Sequence, residues 1–278
     1  MSERALSFGP VASAYERFRP GYPDRLVEEV LTYPRMPIHT ALEIGAGTGK
    51  ATRAFAARGI AVTATDPDAA MLAELRKHVP PTVSTRRAAF EDLPLTHTYD
   101  LVFAAAAMHW TEPVHRWSRV SALLNANGVF ASFGGQLHLD DIAVDEAVRI
   151  VRGQFLPDDG APSSDGTPGE SPMQWPGTEL SRSDRFTDVR QVTIERRVVM
   201  SNHEYIGHLS TISAYLQLPA VVREELFGRI LNVLPTQVTL NADLTLHLAR
   251  VAMRAPHPAA PGSSSAKAVR SGSELGRT

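Results

Sequence analysis

The chain has 278 residues, 43% hydrophobic and 21% charged, enough for one large α/β domain with a substantial core. Its formal charge of −2 supplies no basic footprint for nucleic acid, and Arg86-Arg87 and Arg196-Arg197 read as solvated strand edges or ion-pair partners. It has no cysteine, which excludes a disulfide framework and a thiolate metal site and fits a reducing cytoplasm. No apolar run reaches the length of a bilayer-spanning helix, and Met1-Ser2-Glu3-Arg4 does not lead into the apolar core of a signal peptide, so a protein without membrane partners is expected.

In chain order, the first aromatic-rich stretch runs from Phe8 to Pro23, where Phe8, Tyr15, Phe18 and Tyr22 suit the anchors of a covering helix. A helix is expected near 24–32 and a strand near 40–45. The apolar residues Ala41, Leu42 and Ile44 suit a buried parallel strand, and they lead into Leu42-Glu43-Ile44-Gly45-Ala46-Gly47-Thr48-Gly49. Three alternating glycines there let the backbone turn sharply and approach a ligand closely. Good helix formers follow over 50–58 and stop at Gly59. The next apolar run, 60–65, ends at Asp66, where an acidic side chain can accept from two ribose hydroxyls. The pattern is Glu-x-Gly-x-Gly-x-Gly rather than the dinucleotide Gly-x-Gly-x-x-Gly, so the helix start need not face a pyrophosphate. A cationic ligand fits Glu43 and Asp66 better than a polyanion.

At this point the sequence resembles the class I S-adenosylmethionine (SAM)-dependent methyltransferases, of the type 11/25 kind, with trans-aconitate-type small-molecule methyltransferases among the nearest-looking relatives. Phe90-Glu91-Asp92-Leu93-Pro94, the run Tyr99 to Trp110, and Leu123-Leu124-Asn125-Ala126-Asn127-Gly128-Val129-Phe130 carry the resemblance onward. It implies a Rossmann-like, seven-stranded, mostly parallel sheet with helices on both faces and a helical cap. It also implies SAM as cofactor, with Glu43, Gly45, Ala46, Gly47, Gly49 and Asp66 around it, Phe90 and Glu91 beside the adenine, and Ala105 at the end of the fourth strand. Tyr15 would pack on the methionine part and Arg19 would answer its carboxylate. Many relatives carry Asp where this chain has Ala89, which leaves the adenine amine to Glu91, Asp92 or backbone groups.

Helices near 68–78 and 114–124 and strands near 83–89, 99–105 and 128–133 complete an alternating pattern that implies a doubly wound sheet with its ligand at the strands' carboxyl ends. His109, after the fourth strand, is the candidate catalytic base, and His109-Trp110 equally suits a packing unit. Beyond the fifth strand a helix is expected over 140–152. Residues 156–177, with five prolines, four glycines and three serines, read as a loop or lid. Then come a strand near 190–200, helices near 202–217 and 220–234 that wall the substrate pocket, and a strand near 237–251. Residues 255–278 have the composition of a disordered tail. The whole reads as a single methyltransferase domain over 1–254, with a lid over 1–35, a SAM-binding core over 36–135 and cap and final strands over 136–254. His203, Tyr205, His208 and Tyr215 lie on the cap. His203 and His208 are five apart and share no helical face, and with no His-Glu-x-x-His motif no metal is expected. The expected function is methyl transfer to a small-molecule acceptor, an oxygen such as a carboxylate. A carbon or nitrogen acceptor of secondary metabolism, an NAD(P)-dependent oxidoreductase and a non-catalytic SAM-binding protein are the alternatives.

Overall fold

The computed structural model describes residues 8–156 and 165–252. Ala12–Phe18 (α1) and Asp24–Thr32 (α2) lead into the alternating half of the chain: Thr40–Ile44 (β1), Lys50–Ala56 (α3), Ala61–Asp66 (β2), Ala69–Leu75 (α4), Ser84–Arg87 (β3), Tyr99–Ala105 (β4), Arg116–Ala122 (α5) and Leu124–Gly134 (β5). His138–Leu139 (β6), Ile142–Gly153 (α6), Gly177–Arg182 (α7), Phe186–Ile194 (β7) and Arg197–Ser201 (β8) follow. Asn202–Leu209 (α8), Ser213–Leu216 (α9), Ala220–Val233 (α10), Gln237–Asn241 (β9) and Leu244–Val251 (β10) complete it.

Seven strands form one sheet in the order β3-β2-β1-β4-β5-β10-β7. The pairs among β1 to β5 are parallel, and β10 runs antiparallel between β5 and β7. The alternation of β4 explains the layering, because successive side chains point to opposite faces. Leu101 and Phe103 pack with Leu26, Val30 and Phe55 of α2 and α3 on one face, while Val102 and Ala104 pack with Val120 of α5 and Leu180 of α7 on the other. Hence the expected doubly wound sheet with helices on both faces is present. Reversal of order at β1 and β4 opens the crevice in which such folds bind ligands.

The cap differs from expectation in two ways. The single strands expected near 190–200 and 237–251 are each divided, the inner halves β7 and β10 joining the main sheet and the outer halves β8 and β9 joining β6 in a separate three-stranded sheet. The pairing nevertheless continues: Ile194 faces Leu244, Arg197 faces Asn241, and the Ala242 N–H donates to the Arg196 carbonyl between them. The two segments are one long antiparallel ribbon bent at a corner, where the Asp243 carboxylate accepts from the Arg196 N–H and the Arg197 guanidinium. The helix expected over 202–217 is also broken, into α8 and α9, around the buried Thr211.

Of the 156–177 segment, residues 157–164 lie outside the described residues, as does the 255–278 tail; residues 165–176 are irregular and end where α7 begins. Among the described residues no helix is long and apolar enough to cross a membrane.

Candidate functional site

The β1 loop turns on glycines with positive φ, +65° at Gly45 and +54° at Gly47. A Cβ on Gly45 would lie 2.6 Å from the Ala107 Cβ, so the β1 and β4 loops touch only because that position is glycine. Ala46 is held by its N–H, which donates to the Thr65 carbonyl at 2.8 Å. Gly49 stands apart: its α-carbon faces Leu75 of α4, and it lines neither of the cavities described below, serving to start α3. Asp66, at the end of β2, is 8% exposed and accepts from the Gly47 N–H at 2.9 Å and the Asp68 N–H at 2.8 Å. Burial raises its carboxyl pKa, and those two backbone donors oppose the rise. A carboxylate oxygen has two acceptor sites, so each retains one for a ligand.

Two cavities flank the loop and share Tyr15, Arg19, Gly45, Gly47, Ala105 and Ala106 as a common wall. Glu43 lines the smaller. Its side chain is buried, its Oε2 accepts from the Thr52 hydroxyl at 2.5 Å, and its Oε1 has no partner. An unpaired buried carboxyl oxygen is costly to leave unmet. Burial pushes the Glu43 carboxyl up to about 8 from the ordinary 4.5. A carboxyl raised in the folded state contributes stability that is full below about pH 4.5 and lost as pH rises through about 8. Glu43→Gln is therefore expected to shrink the drop in the ligand-free melting temperature between about pH 5 and about pH 8.5. Equal drops in both proteins would show that Glu43 does not titrate there.

α1 brings in the next residues because it is tied to the helix after the glycine loop. Glu16 receives Arg53 at 2.8 Å and pairs with Lys50 at 3.5 Å, and the Lys50 ammonium also donates to the Glu16 carbonyl. This places Tyr15 and Arg19 over the shared wall. The Arg19 guanidinium lies 5.2 Å from the Tyr15 ring centroid and donates to the Thr211 hydroxyl at 2.8 Å and carbonyl at 3.1 Å. Phe8 packs edge-on against both Tyr15 and Trp110, at centroid distances of 6.0 and 6.2 Å, closing an aromatic rim across the larger cavity.

That cavity, about 330 Å³, runs from Asp66 past Phe90 and Glu91 to His109, Trp110 and Thr111. Glu91 uses Oε1 to accept the Glu112 N–H at 2.7 Å, linking the β3 side of the cavity to the loop after β4. Ala105 ends β4, and Ala106 beyond it takes φ +53°, turning the chain toward His109. His109 is exposed on the cavity wall and packs against Trp110 with centroids 4.5 Å apart. The cap contributes Ile212 and Ser213, and the turn after β5 contributes Gln136. These three carry no motif, so sequence reasoning passed over them; the only signal was their place at the ends of elements that border a crevice. Tyr205, His208 and Tyr215, named on the cap for their chemistry, are instead buried in its core, and His203 is exposed away from the cavities. Burial depresses His208 to about 3, with the Arg19 charge adding to it. Among the described residues no group of three or more His, Asp or Glu side chains could hold a metal ion.

A buried acid at the end of β2, a second buried acid with one unpartnered oxygen, and a glycine loop open to close backbone approach lie together in the crevice of a class I methyltransferase fold. The known proteins agree. The profile of the methyltransferase-domain family matches residues 41–128. An uncharacterized methyltransferase of Mycobacterium tuberculosis, Rv3342, is 31% identical over 241 residues, covering 86% of this chain and 89% of the relative. A probable SAM-dependent methyltransferase of Saccharomyces cerevisiae, CRG1, is 27% identical over 198 residues, 65% of each chain. In fold, the chain is similar to a Haemonchus contortus N-methyltransferase solved with phosphomonomethylethanolamine and S-adenosylhomocysteine, with a TM-score of 0.53 and 14% identity, covering 91% of this chain and 61% of that one. This chain belongs to the class I SAM-dependent methyltransferases, and it is an enzyme whose cofactor is SAM.

Proposed function

We propose that this enzyme methylates an oxygen of a small-molecule acceptor, with a carboxylate as the preferred nucleophile. SAM supplies a methyl group activated on a sulfonium, whose departure leaves a neutral thioether. In this reading Asp66 accepts from the ribose hydroxyls, Phe90 and Glu91 flank the adenine, and the backbone of Gly45, Ala46, Gly47 and Ala105 lies along the cofactor. Glu43 Oε1 receives the ammonium of the methionine part, Tyr15 packs on that part, and Arg19 answers its carboxylate. Gly49 acts one step back, by shaping the loop.

The observation that supports a carboxylate is the distribution of bases along the larger cavity. Its two acids, Asp66 and Glu91, both accept backbone N–H groups and stand at the cofactor end. His109 is the titratable base at the other end among the described lining residues. A carboxylate arrives already ionised and asks only to be held in line behind the methyl and shielded from water, which the aromatic rim and Ile212 supply. Gln136 and Ser213 offer it hydrogen bonds. A phenol or amine would place the whole burden of deprotonation on His109.

The test is incubation of the purified enzyme with methyl-labelled SAM and a panel of small carboxylic acids, each matched to its alcohol, phenol or amine analogue. Label is expected in a methyl ester, recognised by release of labelled methanol in mild base. Label stable to base would move the acceptor to a phenol, nitrogen or carbon. Calorimetry of SAM beside NAD and NADP gives an independent check, with binding expected for SAM alone.

A further inference from the structure

Behind the acceptor end of the cavity lies a buried cation that the cofactor does not need. Arg116, the first residue of α5, is 2% exposed and lines neither cavity. Its position is unfavourable on two counts, since a cation opposes the positive end of a helix and its burial forfeits hydration. Its bonds show what offsets this. Nε donates to the Thr111 hydroxyl at 2.7 Å and Nη2 to the Thr111 carbonyl at 2.6 Å, so one planar fork grips the residue that follows His109 and Trp110. On the other side Nη1 reaches Glu179 of α7 at 3.4 Å, and the same Glu179 oxygen accepts from the Trp117 indole at 2.7 Å. Trp117 and Trp175 flank the guanidinium at 5.8 and 5.2 Å. Thr111 in turn donates through its hydroxyl to the Met108 carbonyl, closing the turn that carries His109.

We infer that Arg116 is a positioning residue for methyl transfer: with Glu179 it clamps the Met108–Thr111 turn to α7, so that α7 sets where His109 and Trp110 meet the acceptor. The inference rests on the acceptor lying at the His109 end, as proposed above. It does not depend on the acceptor being a carboxylate.

Lysine is a point charge without the fork and cannot hold both Thr111 oxygens and Glu179 at once. Arg116→Lys and Glu179→Ala, the latter outside both cavities, are therefore compared with the wild-type full chain by hydrogen exchange and by SAM titration. Exchange at the Trp110, Thr111 and Glu112 amides is expected to rise about tenfold in both variants. Exchange in β1 and β4 should stay unchanged, and the SAM dissociation constant should move less than twofold. The double variant should add little to either single one, because the clamp acts as a unit. With an acceptor from the panel, kcat should fall while the KM for SAM holds. Glu179→Gln, which keeps an acceptor for Trp117, should restore part of the loss. Exchange that rises across all strands together would reduce Arg116 to general stability and overturn the inference, as would unchanged exchange at 110–112. Loss of SAM binding in the wild-type protein would instead sink the site assignment itself.

Discussion

Asp66→Ala is expected to bind SAM about tenfold to a hundredfold more weakly while remaining folded, because a hydrogen bond to a charged group contributes about 1.5–3 kcal/mol. The acid stands at the carboxyl end of β2 with both oxygens already oriented, one by the Gly47 N–H and one by the Asp68 N–H. On the proposed assignment, removing it deletes the acceptor for the ribose hydroxyls and also releases the Gly47 N–H that holds the loop. Gly47→Val should weaken binding at least as much. Gly47 lines both cavities at φ +54°, and a β-branched side chain there is strained as well as obstructive. Gly49→Ala separates strain from obstruction. Its φ of +83° and a Cβ 2.6 Å from Leu75 make it costly to the fold, yet it lines neither cavity. It should lower the melting temperature and leave the SAM affinity of the folded protein within a few-fold of wild type. Titration calorimetry beside thermal unfolding reads both quantities. A folded Asp66→Ala protein with wild-type affinity, or a Gly49→Ala protein that loses SAM as completely as Gly47→Val, would contradict this division of the loop.

The first two parallel strands were legible because each is a short apolar run closed by a glycine or an acid and followed by a helix, whereas β3, Ser84-Thr85-Arg86-Arg87, is polar and reaches β4 without an α-helix. The first ligand loop was legible as well: a positive φ in three alternating positions is a backbone demand that glycine meets and that leaves a visible trace. The cap obeys no such rule. The bend that divides the long ribbon lies between Ile194 and Arg197 and is fixed by the side chain of Asp243, 46 residues from Arg197, so local alternation runs through it unbroken. Thr211 interrupts the expected 202–217 helix by taking Arg19 at its hydroxyl and carbonyl, a contact across 192 residues. Residue type was no guide to the cavity in the cap either. Tyr205, His208 and Tyr215 fill its core, whereas Ile212 and Ser213, which have no distinctive chemistry, reach the cavity. Arg116 gave no sequence signal at all, because its value comes from Thr111 and Glu179, which it joins from opposite sides.

His109 is where chemistry and packing predict different numbers. It sits on the cavity wall after β4, on a turn closed by Thr111, with its ring against Trp110. A general base contributes about 10²–10⁴-fold, so with an acceptor that must lose a proton His109→Ala should reduce kcat by that order and leave SAM affinity nearly intact. With a carboxylate acceptor no proton has to leave. His109→Ala should then cost about tenfold or less, expressed mainly in the acceptor KM and the melting temperature, and His109→Gln, which keeps bulk and a hydrogen bond, should recover most of the activity. The pH profile distinguishes the cases without any assumption about the acceptor. A base would impose on the wild-type kcat a rising limb that His109→Gln abolishes, whereas a packing residue leaves the limb unchanged in both proteins. Because the proposed nucleophile is a carboxylate, the packing result is the one expected here. A hundredfold loss of kcat in His109→Gln with a carboxylate acceptor would show that the imidazole does more than hold the cavity wall, and would return the acceptor assignment to the phenols and amines.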